Sequence, residues 1–120
     1  MKDIAWSKIL SVGVDEIDDD HRRLIALFNE LNRAAAGGES AAYLAATLEE
    51  LINCTVWHFS HEERLMLKHR YPGMAEHQAA HRELIEAARD WQASLAQAGY
   101  ALAEGEIAFL DRWLTEHILT

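Results

Sequence analysis

The chain has little of what would fix a small protein by other means. One cysteine, Cys54, in 120 residues excludes an internal disulfide framework. One proline and six glycines leave little turn material, which argues against a loop-rich or many-stranded design. Basic residues are scarce, 11 Lys and Arg against 20 Asp and Glu, and the formal charge of -9 makes nucleic acid and an anionic membrane surface poor partners. No apolar run reaches the length of a membrane span, and the first residues have no signal-peptide pattern. A cytoplasmic location is the resulting expectation. Half of the residues are hydrophobic, and the length suits one domain with one core.

What is present is helical. Residues 1–17 show no sustained period and read as an N-terminal arm, with Trp6 available to pack onto the body. Asp18 is the expected N-cap of a first helix, in which His21, Leu24, Ile25, Phe28 and Leu31 recur at helical spacing until Gly37-Gly38. Ser40 is placed to cap a second helix, with Leu44, Leu48, Leu51, Thr55, His58, Glu62 and Leu65 on one face as far as about His69. Tyr71-Pro72-Gly73 breaks the chain. A third helix from near Met74 to near Gly99 carries His77, His81, Leu84, Ala88, Trp91 and Leu95, and a fourth from about Ala103 carries Ile107, Leu110, Leu114 and His117. Short connections make neighbours antiparallel, so residues 18–120 are expected to form an all-α, up-down-up-down four-helix bundle.

Seven histidines are the anomaly of the composition. Antiparallel packing brings the start of helix one, the end of two, the start of three and the end of four to one end of the bundle. His21, His58, Glu62, His77, His81 and His117 are therefore expected to converge there on inward faces. A single inward histidine is ordinarily a hydrogen-bonded core residue, but that reading extends poorly to five at one level. Unpartnered burial of each group costs roughly 1–3 kcal/mol. Imidazole and carboxylate are ordinary ligands for iron, zinc, manganese or copper. Six donors exceed what one tetrahedral zinc needs, and two metal ions bridged by Glu62 fit the count better.

The remaining candidates read more plainly. His61 lies off the His58–Glu62 face and reads as solvated or as a neighbour of the ligands. His69 suits a helix C-terminus as a cap, and Cys54 reads as a small buried residue. Glu49, Glu50, Glu63, Arg64, Arg82 and Glu83 read as a solvated charged surface.

The chain resembles the bacterial hemerythrins along nearly its whole length. The resemblance rests on Trp6, on GVDEIDDDHRRLIALFNELN with His21, and on HFSHEERLM with His58 and Glu62. It continues in YPGMAEHQAAH with His77 and His81 and in LDRWLTEHI with His117. Each motif is weak alone; together, in this order and at these separations, they are specific. The resemblance implies an oxygen-binding protein with two iron ions, oxo- or hydroxo-bridged, and dioxygen as ligand. It assigns His77, His81 and His117 to one iron, His21 and His58 to the other, and Glu62 to both. Leu114, Ile118 and Trp113 flank His117 as a candidate wall of the oxygen pocket, beside the plainer reading of core packing. The family pattern also has a bridging aspartate five positions after the histidine of helix four, which falls two beyond Thr120. The expectation is six of seven protein ligands, with helix four cut short; Asp111 and Glu116 lack the phase to replace the seventh. Reversible dioxygen binding for storage, delivery or sensing leads. A di-iron peroxidase or nitric oxide reductase, and a sensory module of a longer signalling protein, are the alternatives. Oligomeric state is not legible.

Overall fold

The computed structural model describes residues 15–70, 72–100 and 104–118, with side chains for residues 17–70, 72–100 and 105–115. Its elements are α1 (Asp15–Ala36), α2 (Ala41–Lys68), α3 (Met74–Gln97) and α4 (Glu104–Arg112), which continues into a π-helical segment at Trp113–Ile118. No strand occurs among the described residues, and no helix there is long and apolar enough to cross a membrane. The arrangement is the expected four-helix bundle. Trp6, Tyr71 and Ala103, and the side chains of Glu116, His117 and Ile118, lie outside the described residues.

Local chemistry explains the boundaries. Gly38 adopts φ 73°, where a β-carbon is disfavoured. Its N–H reaches the Ala35 carbonyl, and the Glu39 N–H reaches that of Ala34 at 3.1 Å, closing α1 with a Schellman motif. Gly99 at φ 70° closes α3 in the same way, with the Tyr100 N–H on the Leu95 carbonyl at 2.8 Å. Ser40 caps α2 as expected, its Oγ accepting the Tyr43 N–H at 3.1 Å. His69 is the C-cap residue of α2.

Two boundaries differ from the sequence expectation. α1 begins at Asp15, so Asp18 is a buried residue inside the helix rather than its N-cap. The α-helical part of α4 stops at Arg112 and the chain widens into a π-helix, which apolar periodicity does not reveal. There the Thr115 hydroxyl donates back to the Asp111 carbonyl at 2.7 Å.

The core forms from the stripes that the periodicity picks out. Leu24, Phe28, Leu31, Leu48, Leu51, Ile52 and Leu114 are fully enclosed, joined by Ala88, Leu95, Ile107, Leu110 and Trp113. Polar contacts confirm the antiparallel order. Tyr43 donates to Glu30 at 2.7 Å between α1 and α2, and Arg89 and Gln92 of α3 reach Glu49 of α2. Trp91 of α3 donates to Glu106 of α4, and the Trp113 indole N–H to the Leu84 carbonyl. This packing leaves α1 start, α2 end and α3 start side by side.

Candidate metal centre

At that end Glu62 lies between two histidines. Its Oε2 is 3.5 Å from His58 Nε2 on the preceding turn of α2, and its Oε1 is 3.2 Å from His81 Nε2 on α3. One carboxylate thus offers a different oxygen to each side. His77, one turn before His81, brings a ring nitrogen within 4.8 Å of the ligand atoms of Glu62 and His81. On the other side the His21 ring meets His58 edge to face, with centroids 4.8 Å apart.

Two carboxylates hold the imidazoles from behind. Asp20 Oδ2 accepts from His58 Nδ1 at 2.9 Å, and Glu63 Oε2 accepts from His81 Nδ1 at 3.0 Å. A carboxylate only accepts, so each Nδ1 carries the hydrogen and each Nε2 is turned toward Glu62. Phe59 stacks on one face of the His81 ring, 3.9 Å between centroids and 3° from parallel. This is the usual architecture behind a ligating histidine, in which the remote nitrogen is fixed so that the near one points at the metal.

The electrostatics differ across the centre. Burial, and then the neighbouring His58, holds the His21 imidazole down to about 4 against the pull of Glu62, Asp18 and Asp20. At neutral pH it is an uncharged donor. For His81 burial acts downward as well, but hydrogen bonds to Glu62 and Glu63 outweigh it and raise its pKa. Burial acts upward on Glu62, yet the hydrogen bond to His81 and the nearby histidines bring it below the usual range.

The donors fit a metal. Among the described residues, both nitrogens of His21 and Nε2 of His58 are buried with no hydrogen-bond partner. Such orphaned atoms are rare in folded proteins and costly without a ligand. Imidazole nitrogens grouped about a two-sided carboxylate suit iron or another borderline divalent metal.

The structure brings together His21, His58, Glu62, His77 and His81 from the sequence-predicted set. His77 departs from expectation in being exposed rather than inward; it reaches its neighbours from the rim. The side chain of His117 is outside the described residues, although its backbone lies in the π-helical segment. Leu114 and Trp113 are buried as expected, and Ile118 falls outside the described side chains.

Three assignments are corrected or sharpened. Glu63 belongs to the centre and not to the solvated surface, because its side chain reaches His81. His61 is not solvated: its side chain is 9% exposed and its Nδ1 donates to Asp20 at 2.7 Å. Cys54 is half-buried rather than enclosed, and burial raises its thiol pKa, so it is no ready nucleophile. Asp20 has no counterpart among the sequence candidates. Its one signal is an acid next to a helix-face histidine, and three aspartates in a row hide which of them turns inward.

Comparison with known proteins agrees with this geometry. The family model described as "Hemerythrin HHE cation binding domain" matches residues 12–120. The chain is 33% identical to a bacteriohemerythrin of Stenotrophomonas maltophilia over 96% of this chain and 74% of that one. It is 33% identical to a bacteriohemerythrin of Pseudomonas aeruginosa over 98% and 76% of the two chains. To a myohemerythrin of Riftia pachyptila the identity is 33%, over 95% and 83%. A bundle whose one end gathers histidines around a two-sided glutamate, in a chain matched along almost its full length by these relatives, belongs to the hemerythrin family, whose cofactor is a di-iron centre that takes dioxygen.

Proposed function

We propose that this chain binds dioxygen reversibly at a di-iron centre. His77, His81 and His117 would hold one iron, His21 and His58 would hold the other, and Glu62 would serve both. The observation that carries this reading is the placement of Glu62, with Oε1 toward His81 and Oε2 toward His58. When bound, a reduced di-iron pair supplies the two electrons that dioxygen needs for reversible capture.

The protein's own residues then set the conditions. Asp20 and Glu63 orient His58 and His81 with Nε2 toward the centre. The imidazole-rich donor set is mostly neutral and compensates metal charge less than a carboxylate-rich one, which favours return of the ligand over further oxidation. Leu114 and Trp113, both buried, are proposed, with Ile118, as a dry wall that would keep water from the oxygen position. Binding, rather than turnover, is the proposed role.

The test is iron content per chain together with the ultraviolet–visible spectrum in air, followed by cycles of deoxygenation. Two irons and charge-transfer bands that vanish and return over several cycles support the proposal. A single metal per chain, or sustained turnover of peroxide or nitric oxide with a reductant, overturns it.

A further inference from the structure

Asp20, in the early part of α1, is 7% exposed, and one of its oxygens receives two imidazoles. His58 Nδ1 and His61 Nδ1 both donate to Oδ2, at 2.9 and 2.7 Å. The donors are three positions apart on α2, one turn of the same flank, so they converge on Asp20 as a fork. A buried carboxylate held by one neutral hydrogen bond is poorly compensated. The second bond supplies what the first lacks and fixes the carboxylate in place. The His61 ring is itself held, tilted against Trp57 with 5.1 Å between centroids, and the Arg23 guanidinium lies 5.9 Å from the Trp57 ring centroid. His61 therefore has a defined position set by both α1 and α2.

We infer that His61 is a positioning residue for the metal centre: it locks Asp20, and Asp20 in turn holds His58 in the tautomer that leaves Nε2 free for metal. The inference rests on the proposed role of His58 as a ligand. His61 itself touches no metal.

Titration of the full chain with cobalt(II) under argon, read by visible absorption, tests it. His61→Ala weakens cobalt binding about tenfold, the lower end of what removal of a ligand's hydrogen-bond partner produces. His61→Asn, whose side-chain N–H reaches the same oxygen, recovers most of the affinity. In an Asp20→Ala background, His61→Ala adds no further loss, because its effect passes through Asp20. A second readout needs no metal: nitrogen-15 spectra of the metal-free chain show His58 as the Nδ1–H tautomer, and as a mixture in His61→Ala. Unchanged cobalt affinity in His61→Ala, or an additional loss in the Asp20→Ala background, overturns the inference. If His58→Ala also leaves cobalt binding intact, the ligand assignment has failed instead. Should His61→Ala not fold, the tautomer in the unaltered chain and the affinity of His61→Asn decide, and an Nε2–H His58 overturns the inference.

Discussion

His21 and His58 meet edge to face, 4.8 Å between ring centroids, and both rings are buried. Burial, with His58 beside it, holds His21 down to about 4, against 6.5 in an unfolded chain. Between those values the unfolded chain takes up a proton that the folded chain refuses. The contribution of this group to stability is therefore constant above pH 6.5 and falls as pH drops from 6.5 to about 4. Urea unfolding of the metal-free chain across this window should show the decline. A His21→Leu chain should show a smaller one, and an equal decline would remove His21 as its cause.

His81 has the opposite sign. Set between Glu62 and Glu63, its pKa is raised, so in the metal-free chain the proton is retained above the unfolded value of 6.5. That proton stabilises the empty fold below 6.5, and the benefit is lost as pH rises through the folded pKa. Metal must displace it, since a ligating imidazole nitrogen has to be bare. Iron(II) uptake near pH 7 should thus release protons, seen as a dependence of calorimetric heat on buffer ionisation enthalpy. Glu63→Gln should reduce the release. The same release in both chains would be evidence against the two-carboxylate setting of His81.

Glu62→Gln tests the bridge. Gln keeps the size of the side chain but offers one oxygen and no charge, so it serves at most one side of the pair. The expected outcome is fewer than two irons per chain and loss of the thermal stabilisation that iron confers. That stabilisation is about 2.7 kcal/mol when free metal is a hundredfold above Kd, which amounts to several degrees in Tm for a domain of this size. The bridging assignment is falsified if Glu62→Gln retains two irons and the same Tm gain.

Much of this is legible in the sequence, because the bundle is built from apolar stripes at helical period and ended by Gly38, Gly99 and Ser40. His58, Glu62 and His81 can be placed from phase alone. Phase fails where side-chain reach or backbone form decides the outcome. Glu63 and His61 sit beside the inward face of α2, and their length carries them to His81 and Asp20. His77 has inward spacing but lies in the first turn of α3, at the open rim of the bundle, where little covers it. The π-helical segment after Arg112 shifts the helical register of residues 113–118, and no pattern of apolar residues announces it.

Leu114 lies in that segment and is fully enclosed. Its truncation separates core packing from the proposed exclusion of water. Leu114→Ala should cost about 2–5 kcal/mol of stability, through lost transfer energy and the cavity left behind. Leu114→Met conserves volume and should cost less than about 1.5 kcal/mol. If the side chain also walls the oxygen position, the cavity of the alanine variant admits water there. The half-life of the oxygenated spectrum should then shorten in Leu114→Ala and stay close to that of the unaltered chain in Leu114→Met. Unfolding in urea and decay in air, measured on the same preparations, distinguish the two roles. A destabilised alanine variant with an unchanged oxygenated lifetime would make Leu114 a core residue only, and the dry wall would then have to be built without it.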